Sequence, residues 1–344
     1  MQKMRKQKMF EVGEIHPNTP HLFSDLAELL LLTNQIGRSF IHKSDLESLL
    51  SHGAISTDEI DEEADAEEEA DKTGKSSAER LSRNEKQLDD LFSQLSYREK
   101  TLTEYYPFSI SGEELHKNDH ISEKTKIYRF LVACSRLRSF PGPGISQKWA
   151  KFFTDLCKIA LGGLLPIDAE IRIFDANSND RRTYYSPDLR QALKKLGDDL
   201  KVRVIHEECD RQSPSGDHGI DLVAIVRFDD GAQSNFAILG QCASQETGWP
   251  TKTLESHPIS LRDIYSIQMD IPSVLFTPIA YREATGELVN NRWANGILLL
   301  DRGRILYLIG KQNKWQEIVT KPWFIEFESD LEGFIMNREE MVSD

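Results

Sequence analysis

The sequence predicts an α/β protein in which a helical N-terminal region precedes a core of alternating helices and strands. Two observations lead to this fold class. Residues 1–56 and 78–140 combine helix-forming composition with apolar residues spaced three or four positions apart. After Ser146, amphipathic stretches alternate with short runs rich in Val, Ile and Leu. This alternation is typical of a protein whose helices cover a central sheet.

Composition divides the chain into four segments. A helical N-terminal segment at 1–56 is followed by an acidic linker at 57–77, a helical region at 78–140 and an α/β domain at 145–335. The last boundary falls at the PGPG run of residues 141–144, because Pro and Gly interrupt regular structure.

The linker has an extreme composition. Residues 58–71 contain ten acids and no base. Such a segment cannot bury enough apolar surface to offset the entropy of ordering, so we expect disorder or an exposed arm. Two roles stay open for it: a solvated spacer, or an arm that mimics nucleic acid or docks on a basic partner.

Charge, hydropathy and cysteine content argue against several classes of protein. The formal net charge is −14, and since ten acids lie in the linker, the rest of the chain carries only −4. This balance disfavours an autonomous, tight binder of nucleic acid but suits a nuclease that uses a metal ion or a basic partner protein. With no apolar run of membrane-spanning length and no signal peptide, we expect a cytoplasmic protein without a membrane partner. The four cysteines lack CxxC spacing and predict free thiols.

Helices are predicted throughout the N-terminal half. The stretch DLAELLLLTNQIGRSFIHKSDLESLL is predicted to be helical. Within it, Ser44 and Glu47 have the spacing of a capping box for a short helix that ends near residues 52–53. In the following region, LDDLFSQLSYREKTL and KIYRFLVACSRL are the clearest amphipathic stretches.

Helices and strands alternate after the PGPG run. Ser146 is predicted to cap the helix QKWAKFFTDLCKIAL, which ends at Gly162 and Gly163. A second helix, PDLRQALKKLGDDL, starts with Pro187 at its first position. A third helix is predicted near Trp249, and RGRILYLIGKQ forms the last. Strands are predicted at 170–175, 202–208, 220–228, 235–243, 273–280 and 296–301.

A polar site is predicted on the hairpin formed by the strands at 220–228 and 235–243. Asp221 follows the loop SPSGDHG at the start of the first strand, and Gln241 lies late on the second. Mg²⁺ prefers oxygen ligands such as these side chains offer. A metal ion there would activate water and neutralise charge on a phosphate. Lys252, in the next helical segment, is placed to polarise the water or the phosphate.

Residues 149–252 resemble the PD-(D/E)xK nuclease superfamily, in particular its Mrr-like domains. That family carries an Asp on the second core strand and [EQ]-x-K on the third; Asp221 in GIDLVAIV and Gln241 in ILGQCAS match these positions. The resemblance implies a restriction-endonuclease-like core, with a mixed central sheet flanked by helices and Mg²⁺ or Mn²⁺ as cofactor. It also implies a metal-dependent nuclease, most simply a DNA endonuclease, acting as effector or subunit of a bacterial phage-defence system.

The family's lysine is missing from its usual place. Ala243 occupies that position, so the motif in this chain is Q-x-A. Either Lys252 replaces the lysine, or the domain is a catalytically inactive nuclease-fold subunit. In the second case it would bind nucleic acid or scaffold a partner ATPase or helicase.

Further site residues are predicted near this motif. Glu208, Asp217 and Asp155 are candidates for an additional acid, with Glu208 favoured as catalytic. Cys242, next to Gln241, is a further candidate metal ligand. Four arginines are predicted to contact substrate phosphates: Arg181, Arg182, Arg302 and Arg304. The expected partners are nucleic acid, DNA in the first instance, and another protein of a multi-subunit complex.

Overall fold

A computed structural model of the chain describes residues 9–52, 54–55, 77–228, 230–246, 258–267, 269–294 and 296–335. Within these ranges, no helix combines the length and the apolar character needed to cross a membrane. The linker predicted at 57–77 lies outside the described residues except for Ser77. Trp249 and Lys252, with the helix predicted there, also lie outside them.

The first half of the chain contains long helices and short strands. In order these are β1 Glu14–Ile15, α1 Pro20–Leu32, β2 Phe40–His42, α2 Lys43–His52, β3 Ala54–Ile55, α3 Ser77–Leu102, β4 Phe108–Ser111, β5 Glu114–Lys117 and α4 Glu123–Ser135. Strands β2, β5 and β4 form an antiparallel sheet, and β1 pairs with β3 in parallel. The helices predicted within 78–140 are confirmed as α3 and α4. The hairpin β4–β5 between them was missed, although FSIS in β4 alternates apolar and polar residues, because each strand is only four residues long.

The second half alternates between helices and strands. Its elements are α5 Ile145–Leu161, β6 Glu170–Ile173, α6 Asn179–Tyr184, α7 Leu189–Leu200, β7 Arg203–Val204, α8 His206–Arg211, β8 Leu222–Val226, β9 Phe236–Cys242, α9 Pro258–Leu261, β10 Tyr265–Ser266, β11 Ser273–Phe276, β12 Leu298–Leu300, α10 Arg302–Gln312, α11 Trp315–Val319 and α12 Pro322–Glu332. Strands β7 and β10 form a separate antiparallel pair. Most predicted elements of this half are present, with shorter strands.

Three local predictions in this half were wrong in detail. Helix α5 begins at Ile145 after Gly144, so Ser146 lies inside the helix rather than capping it. Helix α7 is capped by Asp188, whose carboxylate accepts the N–H groups of Arg190 and Gln191, so it begins after Pro187. The strand predicted at 202–208 is only two residues long, and its acidic end starts α8, where Glu207 and Glu208 occupy the first turn.

A mixed five-stranded sheet forms the centre of the second half. The strand order is β12-β11-β9-β8-β6. Strands β6, β8 and β9 are antiparallel neighbours, whereas β9, β11 and β12 run parallel. The predicted α/β fold class, with a mixed central sheet, is therefore confirmed.

Helices cover both faces of this sheet. On one face, α5 places Phe153 and Leu156 in the same hydrophobic cluster as Leu222 of β8. On the other, Leu193 of α7 belongs to a second cluster with Val223 and Leu239. Neighbouring residues of β8 thus enter different cores, as the alternation of side chains along a strand requires.

The first hydrophobic cluster also joins the two halves of the chain. It contains buried residues from Phe10 to Phe334. The rings of Phe140 and Trp149, on either side of the PGPG run, lie 4.8 Å apart. The segments predicted at 78–140 and 145–335 therefore share a core.

A buried ionic cluster lies on α1. Its acids, Asp25 and Glu28, are almost completely inaccessible. Arg98 of α3 donates from Nη1 to both carboxylates at 2.7 Å. Arg302 of α10 donates from Nη2 to Asp25 Oδ2 at 2.7 Å and from Nε to the carbonyl of Pro278. Burial raises the pKa of Asp25, but the charges of Arg302 and Arg98 outweigh that effect and hold the pKa below its ordinary value.

Hydroxyl groups complete the coordination of these acids. Tyr106 and Tyr128 donate to Glu28 at 3.0 and 2.8 Å, and Ser135 donates to Asp25 at 2.6 Å. Such a buried ion pair adds little net stability when intact, yet removal of one partner leaves a buried charge uncompensated.

Replacing Arg302 should therefore destabilise the fold strongly. We expect Arg302→Met to lower the free energy of unfolding by about 3–5 kcal/mol, because Asp25 loses a partner and its burial is no longer compensated. Urea denaturation followed by circular dichroism measures this loss. Arg304→Met is the matched control on the same helix; it removes one bond to the carbonyl of Leu299 and should cost about 1 kcal/mol. Equal losses for the two variants would contradict the assigned role of Arg302.

Candidate metal centre

Three carboxylates converge at the end of the central sheet. Asp175, Asp217 and Asp221 each offer an oxygen, and these oxygens lie within 4.8 Å of one another. All three residues are partly buried. No other group of three His, Cys, Asp or Glu residues with this spacing occurs in the described part of the chain.

Asp221 is fixed by both neighbouring strands. Its N–H donates to the carbonyl of Gly240 at 2.9 Å, and its own carbonyl accepts the N–H of Phe174 at 2.7 Å. Its Oδ2 accepts the N–H of Cys242 at 2.7 Å. The residue thus stands where β6, β8 and β9 meet, at the start of β8.

Asp217 lies in the tight loop that leads into β8. Gly216 and Gly219 have φ angles of +97° and +71°, in the region that favours glycine. The Oδ1 of Asp217 accepts the N–H of Gly219 at 3.0 Å. This local bond closes an Asx turn that fixes the carboxylate beside Asp221.

Asp175 lies just beyond the end of β6, one residue after Phe174. Its Oδ1 accepts the N–H of Asn177 at 2.6 Å, and its carbonyl accepts the N–H of Ser178 at 3.0 Å. Sequence reasoning missed this acid. A signal was present, since Asp175 ends the predicted strand EIRIFD, but only the pairing of β6 with β8 brings it beside Asp221.

The donor set fits a hard divalent cation. Three carboxylates provide oxygen ligands of the kind that Mg²⁺ and Mn²⁺ prefer, and partial exposure leaves room for water ligands. Three like charges at this spacing repel one another, so a bound cation would relieve an unfavourable interaction.

A cavity of about 360 Å³ lies between α5 and the segment after β6, and Asp175 is the acid of the cluster that lines it. It is lined by Lys151, Thr154, Asp155, Lys158, Ile173, Asp175, Asn177, Ser178, Asn179 and Asp180. Lys158 pairs with Asp180 at 2.7 Å, and Asp180 also accepts the N–H of Ile173. Burial raises the pKa of Asp155, one turn earlier on α5. The cavity thus places two lysines and further polar groups on the α5 side of the cluster.

The Q-x-A residues lie on two faces of β9. Gln241 is 3% exposed and is paired in register with Leu275 of β11. Cys242 points to the opposite face and packs against the first hydrophobic cluster. Burial raises the pKa of the Cys242 thiol. The backbone N–H of Cys242 donates to Asp221 and so supports the three acids. Its thiol does not belong to any group of three potential metal ligands among the described residues.

Two other residues predicted to be catalytic, Glu208 and Lys252, are not among the three acids. Glu208 lies on α8 and forms an ion pair with Arg211. Lys252 falls outside the described residues, so its prediction stays untested. Ala243 is fully buried in an apolar cluster with Leu22 and Leu275.

The four predicted substrate arginines differ in exposure. Arg181 and Arg302 are 0% exposed and bond to interior groups. This burial does not fit a direct phosphate contact. Arg182 is exposed and donates to the carbonyl of Asn177 at 2.9 Å. Arg304 is partly exposed on α10.

Comparison of the chain with protein-family models, with curated proteins and with solved structures finds no match in any of the three. The interpretation of this site therefore rests on its own geometry and on the sequence pattern.

Metal binding by the three carboxylates should stabilise the protein measurably. At a Mg²⁺ or Mn²⁺ concentration about 100 times the dissociation constant, the free energy of unfolding should rise by about 2.7 kcal/mol. Asp175→Asn and Asp221→Asn should lose this response, because each removes a charged ligand while keeping a hydrogen-bond acceptor. Thermal melts with metal and with EDTA provide the measurement.

Asp45→Asn is the control for this test, because Asp45 lies on α2 in the first half of the chain and pairs with Arg38. It should keep the metal response. A wild type that does not respond to either metal would contradict the assignment.

Proposed function

We propose that the chain is a metal-dependent nuclease of the PD-(D/E)xK type that hydrolyses phosphodiester bonds, with DNA as its substrate. The observation that carries this proposal is the convergence of Asp175, Asp217 and Asp221 at the start of β8. In a bacterial phage-defence system the chain would act as an effector or as a subunit beside a partner protein.

The sheet supports a restriction-endonuclease-like core. The family pattern places an acid on the second core strand and Glu or Gln on the third. Counted from the edge strand β6, the second strand is β8, which Asp221 precedes directly, and the third is β9, which carries Gln241. Helix α5 precedes these strands and packs on the face that Cys242 shares.

The residues of the centre have distinct proposed roles. Mg²⁺ or Mn²⁺, when bound, would supply the Lewis-acid chemistry that phosphodiester hydrolysis needs. Asp175, Asp217 and Asp221 would hold the ion, and the hydrogen bonds from backbone N–H groups would keep their carboxylates in place. Lys158, which lines the adjoining cavity, would provide a positive charge for the phosphate.

A non-catalytic role is the alternative, and one observation favours it. The position of the family lysine is Ala243, which lies in an apolar cluster without exposure to solvent. A lysine there would have to bury its charge. Catalytic activity would therefore need a positively charged side chain from another position in the chain. Lys158 and Lys252 are the candidates.

Cleavage of DNA tests the proposed activity directly. Purified protein should cut plasmid or linear DNA in Mg²⁺ or Mn²⁺ and not in EDTA. Asp221→Asn should reduce the rate about a hundredfold or more, because it removes a charged ligand at the reacting centre. Asp45→Asn should cleave at the wild-type rate. If the protein binds the metal but leaves every DNA substrate intact, alone and with its partner proteins, the non-catalytic alternative is favoured.

The source of the missing cation is a separate question. We expect Lys158→Met to slow cleavage about a hundredfold while metal binding persists, because the charge beside the phosphate is lost. Lys252→Met is measured in parallel, since the sequence pattern predicts that lysine for the same role. Lys194→Met, which breaks an ion pair with Asp210 on α8, is the control. If only Lys252→Met slows cleavage, the role proposed for Lys158 is rejected.

A further inference from the structure

Arg181 is a buried cation without a carboxylate partner in the described part of the chain. Its side chain is fully inaccessible, and its Nη2 has no hydrogen-bond acceptor. Burial lowers the pKa of Arg181, and the charges of Asp217, Asp175 and Asp188 oppose that shift. Burial of an unpaired guanidinium is costly, so its position calls for a physical reason.

The hydrogen bonds of Arg181 reach two segments of the candidate metal centre. Its Nη1 donates to the carbonyl of Phe174 at 3.0 Å and to the carbonyl of Gly216 at 2.9 Å. These residues immediately precede Asp175 and Asp217. One nitrogen atom therefore joins the backbones that carry two of the three acids. The Nε anchors the guanidinium to the carbonyl of Ser186 at 2.9 Å.

The third acid is linked through the same residue. The N–H of Phe174 donates to the carbonyl of Asp221 at 2.7 Å, while the carbonyl of Phe174 accepts Arg181. The guanidinium also lies 4.7 Å from the centre of the Phe174 ring, within the range of a cation–π contact. The backbones of all three acids thus connect through Phe174 and Arg181.

The charge of Arg181 also suits the cluster. Three carboxylates and one guanidinium have a formal charge of −2, which one divalent cation neutralises. Arg181 cannot reach a substrate phosphate from its buried position, whereas the neighbouring Arg182 is exposed.

We propose that Arg181 is a positioning residue for the metal centre, which holds the segments of Asp175 and Asp217 at the spacing that a divalent cation requires. This inference rests on the proposed metal centre. Removal of a nearby positive charge would by itself tighten cation binding. If replacement of Arg181 weakens cation binding, the cause must therefore be the loss of its positioning role.

Binding of Mn²⁺ to the full chain, measured by electron paramagnetic resonance or calorimetry, tests this role. Arg181→Met should weaken Mn²⁺ affinity at least about tenfold, in the range for groups that orient metal ligands. Arg181→Lys should weaken it less, because its ammonium group can still donate to some of the three carbonyls, although it lacks the planar fork of the guanidinium. Leu200→Ala, in the second hydrophobic cluster, controls for general loss of stability and should bind Mn²⁺ like the wild type.

The outcomes separate this inference from the proposed function. If the wild-type protein does not bind Mn²⁺, the proposed metal centre itself is rejected. Wild-type binding with unchanged or tighter binding by Arg181→Met rejects the positioning role alone. If Arg181→Met does not fold, Arg181→Lys decides the question: weakened affinity at an unchanged circular dichroism spectrum supports positioning, and unchanged affinity rejects it.

Discussion

The buried ionic cluster on α1 is the interaction on which the rest of the structure depends. Asp25 and Glu28 are placed in a helix that is buried on nearly every side. They are acceptable there only because Arg98 and Arg302 bring two positive charges from α3 and α10. A helix from each half of the chain is thereby fixed to α1, and the large hydrophobic cluster forms around this arrangement.

The balance of charge at the candidate metal centre differs from that in the ionic cluster. In the ionic cluster, two acids and two arginines balance within the protein. At Asp175, Asp217 and Asp221 the only fully buried arginine nearby is Arg181, among the residues described, and negative charge remains in excess. The first arrangement is complete in the folded chain, whereas the second is suited to an ion from solution. The balanced charges of the ionic cluster fit a structural role, whereas the excess negative charge of the three acids fits the proposed metal centre.

Local patterns predicted much of the fold, and contacts distant in sequence explain what they missed. The strands β8, β9 and β11 and the helix α10 follow from apolar runs and their breaks, and Asp221 was found because it stands next to such a run. Asp175 was missed because its neighbours arise from strand pairing. Arg302 was predicted to contact a substrate phosphate, because its partner, Asp25, is 277 residues away and no local pattern reveals it. Lys252, which the sequence pattern predicts as the replacement for the missing lysine, lies outside the described residues.

That separation of 277 residues has a consequence for biosynthesis. Helix α1 leaves the ribosome early, with Asp25 and Glu28 among its apolar residues. Arg98 follows 73 residues after Asp25, but Arg302 follows only after 277 residues. Until then α1 lacks one of its counter-charges and the acids favour hydration over burial. Full compensation of the acids on α1 is therefore expected only after α10 has been made, although α1 itself is made well before it.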